Sequence, residues 1–238
     1  MLRRTSLALL VCACAALPTV FARGQIAQLS AGTILGNTYL NADLGFRYEF
    51  PSGWSVGDAA TQTEEVTAGH QVEWQDDVPA NRAPNSCTKN LLFVTRHPAG
   101  MQLSGVDPSV FLMAIDPKCV PGGPFPVSIK DHQAVQDVAK QVARHLKLNA
   151  AASRGPLRLK AFDLGGRVML EIDQPLIVSS WERGTTTVQS VYSSTLLMQA
   201  GRYWVMWWLT SDTDYNLERL RRSKIFFDSQ SGMPSGPR

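Results

Sequence analysis

The segment from Tyr203 to Leu209 carries an apolar side chain at every position, in the order Tyr-Trp-Val-Met-Trp-Trp-Leu. Side chains of a strand alternate between its faces, so Tyr203, Val205, Trp207 and Leu209 fall on one face and Trp204, Met206 and Trp208 on the other. An antiparallel strand with one solvated face would alternate apolar and polar residues. The segment therefore predicts a strand that other parts of the chain cover on both faces.

Two stretches with helical spacing are candidates for those covering layers. In residues 131–148 the apolar positions Val135, Val138, Ala139, Val142 and Leu146 recur every three or four residues, and in 213–224 Leu217 and Leu220 form an inner stripe. A strand enclosed by helices indicates an α+β fold in which a central antiparallel sheet lies within an α/β/α layered sandwich.

Other segments predict further strands of this sheet. Residues 91–95 and 110–115 are short apolar runs, and residues 157–163 and 167–173 alternate around Gly165-Gly166, which is typical of a β-hairpin. Residues 185–198 are also rich in β-forming residues, and we expect Ile225-Phe226-Phe227 to complete the sheet.

The stretch Phe46-Arg-Tyr-Glu-Phe50 alternates aromatic and charged residues and then meets Pro51-Ser52-Gly53. Trp54 and Val56 resume the alternation, so the pattern predicts a hairpin whose corner Trp54 covers. We interpret this stretch as a structural corner and not as a working site. Residues 60–90 allow no single prediction, because Thr61–Val66 could start a helix while His70, Val72 and Trp74 lie at strand spacing.

The N-terminus has the organisation of a secretory signal peptide. Arg3-Arg4 precedes an apolar run from Leu7 to Phe21, and the small residue Ala22 suits a cleavage site, so we predict a signal peptide of residues 1–22 and export to the periplasm or the medium. Lipidation of Cys14 and twin-arginine export are the alternatives. We further predict a flexible leader of residues 23–38, a single domain of residues 39–228, a disordered tail of residues 229–238 and no stable membrane span.

Removal of residues 1–22 would leave Cys87 and Cys119 as the cysteines of an exported chain. In an oxidising compartment such a pair predicts a disulfide. The alternative, a redox-active or metal-binding pair, lacks both a Cys-x-x-Cys spacing and an accompanying cluster of histidines.

The order of these features resembles that of the PsbP-like fold. The resemblance rests on Leu44-Gly45-Phe46-x-Tyr48-x-Phe50-Pro51-x-Gly53-Trp54, a helix midway, the Gly-Gly hairpin, the long aromatic strand and a last helix that ends in Ile225-Phe226-Phe227. That family includes the extrinsic photosystem protein PsbP, Mog-type Ran-binding proteins and exported bacterial proteins of unknown function. The resemblance implies binding or assembly without catalysis, but no photosystem or Ran contact residue can be matched in this sequence.

Charge and motifs exclude several function classes. Of 23 Lys and Arg residues, Arg3 and Arg4 would leave with the signal peptide, which brings the basic residues to 21 against 20 acidic ones and gives no electrostatic case for nucleic acid. The sequence has no Gly-x-Ser-x-Gly, P-loop or dinucleotide motif. We therefore predict no catalytic residue, metal site or cofactor.

Three groups of residues have a functional interpretation beside a structural one. His70, Glu73 and Asp77 would share one side of a helix as a metal or acid-base site, whereas the alternation of Val72 and Trp74 favours a strand with solvated charges. The other histidines, His97, His132 and His145, are interpreted as surface or loop residues. Arg219, Arg221, Arg222 and Lys224 could form a polyanion or lipid patch or complement a helix end.

The tryptophans Trp204, Trp207 and Trp208 could line a ligand groove, but their place in a central strand favours the core. The leading hypothesis is an exported, non-enzymatic binding or assembly-accessory domain for an unknown envelope protein or small ligand. The alternative is a carboxylate-dependent hydrolase whose acidic residues are brought together only by the fold.

Overall fold

The strand predicted from Tyr203 lies in the interior of the larger of two antiparallel sheets. The structure, a computed structural model, describes residues 25–57, 87–98, 107–119, 124–145, 152–154, 156–182, 185–221 and 224–227. The strands in these ranges are β1 Thr33–Leu35, β2 Thr38–Asn41, β3 Phe46–Glu49, β4 Ser55–Val56, β5 Thr88–Thr95, β6 Ser109–Ile115, β7 Ala152–Arg154, β8 Arg158–Leu164, β9 Arg167–Asp173, β10 Leu176–Glu182, β11 Thr185–Ala200, β12 Tyr203–Ser211 and β13 Lys224–Phe227. The α-helices described are α1 His132–His145 and α2 Asp214–Arg221.

The described strands form a small sheet and a large sheet. The small sheet has the order β1-β2-β3-β13, and the large sheet runs β4-β5-β6-β12-β11-β10-β7, with β9 also paired to β11 and β8 paired to β9. Strand β12 pairs with β6 on one side and β11 on the other. The predicted hairpin at Gly165-Gly166 is confirmed, since Leu164 of β8 pairs with Arg167 of β9 and both glycines have positive φ.

Both faces of β12 are buried, as the sequence predicts. Tyr203, Val205, Trp207 and Leu209 pack into a cluster with Phe46 and Tyr48 of the small sheet and with Leu217 and Leu220 of α2. Trp204, Met206 and Trp208 pack on the opposite face with Phe125 and with Val135, Val138 and Ala139 of α1. The sheet therefore has a hydrophobic core on each side, and the tryptophans belong to those cores.

The α/β/α layering expected from the sequence is not confirmed. Helix α1 packs on one face of the large sheet, and residues of the small sheet and of α2 pack together on the other. The segment Ile225-Phe226-Phe227, expected to complete the central sheet, pairs instead with β3 of the small sheet, where Ile225 faces Tyr48 and Phe227 faces Phe46. The described chain is mostly β, with two antiparallel sheets and few helices.

Helix α1 lies within the predicted helix of residues 131–148. Asp131 precedes it and acts as its N-cap, because its Oδ1 accepts a hydrogen bond of 3.1 Å from the amide of Ala134. The amide of Val135 donates to the Asp131 carbonyl, which closes the first turn. Residues 146–148 lie outside the described ranges.

Part of the leader predicted as flexible packs against the core. Residues Gln25–Gln28 form a 3-10 turn, Ile26 and Leu29 are buried in the core with Phe46, and Thr33–Leu35 form the edge strand β1. The reason is that Ile26 and Leu29 place their side chains in the core. The overall composition of the segment did not predict this burial. The predicted signal peptide and disordered tail lie outside the described residues.

Candidate functional site

The turn Pro51-Ser52-Gly53-Trp54 moves the chain from one sheet to the other. Strand β3 before it pairs with β2 and β13 in the small sheet, whereas β4 after it pairs with β5 in the large sheet, with Ser55 opposite Thr95. The predicted hairpin between these segments is therefore wrong, although the turn is a corner. Gly53 has φ of 81°, a value that favours glycine, and the Trp54 amide approaches the Pro51 carbonyl at 3.4 Å.

This corner stands at the end of the large sheet where β5 finishes, β6 begins and β12 leads into α2. Thr95 of β5 pairs with Ser109 of β6, and Ser109 is hydrogen-bonded to Thr210 of β12 through their hydroxyl oxygens at 2.6 Å. Antiparallel pairing of β5 with β6 therefore carries the residues beyond Thr95 toward those that precede Ser109. In this way residues distant in sequence meet beside the corner.

Just beyond these strand ends, His97 and Asp107 form a doubly bonded pair. The Nδ1 atom of His97 lies 2.8 Å from Oδ1 of Asp107, and the backbone amide of His97 donates to Oδ2 of the same carboxylate at 3.1 Å. Asp107 thus holds both the ring and the backbone of His97. Because Nδ1 is engaged, Nε2 is the ring nitrogen left for another group.

Helix α2 contributes the opposite side of the same region. Thr213 is its N-cap, since Thr213 Oγ1 accepts a hydrogen bond of 3.2 Å from the amide of Asn216. The side-chain amide of Asn216 donates to Oδ1 of Asp212 at 2.9 Å. These two bonds fix both the helix start and the side chain of Asn216.

The carboxyl group of Asp212 has a pKa below its usual value. Its burial acts to raise the pKa, but hydrogen bonds from Asn216, from Ser211 and from its own backbone outweigh that effect. The positive charge of Arg96 lowers the pKa further. Asp212 is therefore held as a carboxylate, and Arg96 is its electrostatic neighbour.

These elements enclose an open cleft of about 290 Å³, which we call the corner cleft. Its walls combine apolar and polar side chains, and its lining residues are Pro51, Ser52, Gly53, Trp54, Arg96, His97, Pro108, Asn216 and Leu220. Trp54 is partly buried and packs against the core, while Leu220 is buried at the base of α2. The volume suits a small ligand or one or two side chains of a partner, at the lower end of ligand pockets.

A second cleft, of about 260 Å³, lies against the other side of α2. It is lined by Arg158, Asp173, Gln174, Pro175, Tyr192, Ser193, Asp214 and Leu217. The indole Nε1 of Trp208 donates a hydrogen bond to the Ser193 hydroxyl at 2.7 Å, so a wall of this cleft supplies the acceptor for a core tryptophan. Asn216 and Leu220 face the corner cleft while Asp214 and Leu217 face the second one, so α2 forms the ridge between them.

The structure places the candidate residues from the sequence in different environments. Trp204, Trp207 and Trp208 are at most 3% exposed, which confirms the core interpretation and excludes a groove formed by their indoles. His132 is exposed at the first position of α1, whereas His97, interpreted from sequence as a surface or loop residue, lines the corner cleft. The segment with His70, Glu73 and Asp77 lies outside the described residues, and so do the side chains of the basic cluster Arg219, Arg221, Arg222 and Lys224.

The predicted disulfide partners belong to two segments that are hydrogen-bonded to each other. Cys87 is buried just before β5, and its carbonyl accepts a hydrogen bond of 2.8 Å from the amide of Asp116. Cys119 ends the 3-10 turn Pro117–Cys119 that follows directly. The two cysteines are thus carried by adjacent stretches of the described chain, and their bond stays a prediction.

Within the ranges that the structure describes, no three histidine, cysteine or acidic side chains come together as potential metal ligands. In the same ranges, no helix combines the length and the apolar character that crossing a membrane requires.

Comparison with known proteins finds similarity only among solved structures. The sequence matches no protein-family model, and no characterised protein matches it in sequence. Among solved structures, the chain is similar to the solution structure of cyanobacterial PsbP (CyanoP) from Synechocystis sp. PCC 6803, with 11% identity and a TM-score of 0.45, over 83% of this chain and 96% of that one.

Proposed function

We propose that the protein is an exported, non-enzymatic binding or assembly-accessory domain whose ligand, a segment of an envelope protein or a small molecule, binds in the corner cleft. The observation that carries this proposal is the convergence of Trp54, Arg96, His97 and Asn216 on one open cleft. An aromatic wall beside a few fixed polar groups is the usual composition of a binding site.

The pair of His97 and Asp107 supports a binding role because its contribution to stability is small. The side chain of His97 is 35% exposed, and ion pairs with that much solvent contact stabilise a protein by about 1 kcal/mol or less. The pair nevertheless fixes the orientation of the ring and the backbone at once. A histidine held in this way offers a ligand a positioned ring edge at little cost in conformational entropy.

The alternative, a carboxylate-dependent hydrolase, finds less support in the same region. Such an enzyme needs an acid whose pKa is raised so that it carries a proton at neutral pH. Asp107 has both oxygens bonded to His97, and the pKa of Asp212 is lowered. Asp212, whose pKa is lowered, therefore does not have the environment of a general acid.

The proposal also includes export of the chain and a disulfide between Cys87 and Cys119. The signal-peptide pattern of residues 1–22 supports secretion, and the adjacent backbones at Cys87 and Asp116 support a bond between Cys87 and Cys119. That bond would tie the start of β5 to the turn that follows β6.

Site-specific photocrosslinking tests the proposal. A benzophenone amino acid replaces Ser52 at the rim of the corner cleft in one variant and Val127, which is 91% exposed in the turn before α1, in a matched control. In cells that export the full chain, we expect a discrete crosslinked product from position 52, absent from position 127 and lost when Trp54→Ala is added. Equal products at both positions would contradict the cleft as the binding site.

The same material decides between binding and hydrolysis. Purified protein is offered a panel of simple esters and glycosides, with Asp107→Asn and Asp212→Asn as comparison variants. The proposal expects no turnover. Turnover that either substitution abolishes would establish the hydrolase alternative in its place.

A further inference from the structure

The charged groups near the corner cleft differ in whether other residues of the protein bond to them. Both oxygens of Asp107 bond to His97, and Oδ1 of Asp212 accepts hydrogen bonds from Ser211 and Asn216. These two carboxylates bond to the lining residues His97 and Asn216 and are therefore engaged by donors of the protein itself.

Arg96 differs from these groups. It is exposed, it lines the cleft, and its backbone is fixed by the hydrogen bond of its amide with the Pro108 carbonyl at 3.0 Å. Its charge acts on Asp212 through space, but among the described residues no carboxylate forms an ion pair with its guanidinium. Its planar array of donors suits two oxygens of one carboxylate.

The surface beside Arg96 is apolar. Pro51, Trp54 and Pro108 line the cleft, with Leu220 of α2 below them. A partly buried indole next to two prolines offers a flat surface to an aromatic or aliphatic group. The cleft thus places a cationic donor array next to an apolar wall.

We infer that the corner cleft binds a carboxylate carried on an apolar body, with the carboxylate on Arg96 and the apolar part against Trp54. This inference rests on the proposed binding function and names its ligand class. The same chemistry occurs in a small apolar acid and in the C-terminus of a peptide that ends in an apolar residue. The test therefore includes both sources.

Three probes with one aromatic ring each differ in charge: hydrocinnamate, its neutral amide hydrocinnamide, and the cation phenethylamine. Each is titrated into the full mature protein while NMR follows the indole N–H of Trp54, assigned through Trp54→Phe. A second pair, acetyl-Ala-Phe with a free carboxylate and the same peptide amidated, tests the peptide source. Tighter binding of the acid than of the peptide identifies a small molecule, and the reverse order identifies a peptide end.

We expect each carboxylate to bind about tenfold more tightly than its amide, the scale of one charge-assisted hydrogen bond. Arg96→Gln is expected to remove that difference. Arg202→Gln, which removes an equal charge in the hairpin at the far end of β12, is expected to leave it unchanged. The same spectra show that both variants are folded.

Two results overturn the inference and separate it from the proposed function. If the amide or the amine binds as tightly as the acid, or if Arg96→Gln changes nothing, the ligand class is wrong while the cleft stands as a binding site. If no probe shifts the Trp54 signal and position 52 yields no crosslink, both the ligand class and the proposed site are wrong.

Discussion

The ring of Phe46 lies 5.2 Å from the indole of Trp207, centroid to centroid, although Phe46 belongs to the small sheet and Trp207 to the large one. Tyr48, two residues along β3, approaches the same indole at 6.3 Å. Trp207 is fully buried, so these contacts lie at the centre of the interface between the sheets. The aromatic side chains at alternate positions of β3 therefore pack against β12.

Replacement of this indole is expected to cost much of the stability of the fold. We predict that Trp207→Ala lowers the free energy of unfolding by about 3 to 5 kcal/mol, because it removes a large buried side chain and leaves a cavity. Trp54→Ala, at a partly buried position, should cost about 1 kcal/mol. Urea denaturation followed by circular dichroism measures both, and equal losses would refute the central place of Trp207.

The pair of His97 and Asp107 is predicted to matter for binding more than for stability. Asp107→Ala removes two hydrogen bonds near solvent and should cost about 1 kcal/mol in unfolding free energy. The crosslink from position 52 should nevertheless fall sharply, because the His97 ring is no longer held. A loss of stability as large as that of Trp207→Ala would show that the pair is a structural element.

The start of α2 offers a test of how the cleft is positioned. Thr213→Ala removes the side-chain acceptor for the Asn216 amide and should lower the unfolding free energy by about 1 kcal/mol. Thr213→Ser retains an acceptor oxygen and is the matched control. We expect chemical shifts of Asn216 and Leu220 to move in the alanine variant alone, and unchanged shifts there would contradict the capping role.

The predicted disulfide between Cys87 and Cys119 closes a long loop through β5 and β6. In the chain-entropy model such a bond stabilises the fold by about 3 to 4 kcal/mol. Reduction of the wild type and the substitution Cys119→Ser should therefore lower the denaturation midpoint by similar amounts, and reduction of the variant should add nothing. Mass spectrometry of a non-reduced digest that shows two free thiols in exported protein would refute the bond.

The sequence was sufficient to predict the features that depend on local periodicity. Trp204 and Trp207 fall on opposite buried faces because a strand has a period of two, and α1 follows from apolar residues at helical spacing. Pro51 and Gly53 likewise predicted a corner. Each of these predictions needs only neighbours within one element.

Pairing between distant elements could not be predicted in the same way. A turn at Pro51 is compatible with a hairpin and with a change of sheet, and the choice depends on β5 and β13, which are far away in sequence. The contact between His97 and Asp107 depends on the register that sets Thr95 opposite Ser109. Two residues beyond the Thr95–Ser109 pair, this antiparallel register brings His97 opposite Asp107. The register is the signal that could have predicted the contact, and it cannot be read from either segment alone.

Tyr39 gives a prediction for alkaline pH. Burial raises the pKa of its hydroxyl from about 10 to about 12, although the hydrogen bond from Asn41 acts in the opposite direction. The folded state thus favours the protonated form, so this contribution to stability is complete below pH 10 and is lost as the pH rises through about 12. We expect the unfolding free energy of the wild type to fall over this interval and that of Tyr39→Phe to fall less. The ultraviolet absorbance of tyrosinate in the folded protein should show one fewer late-titrating group in the variant, and identical pH profiles would contradict the assignment.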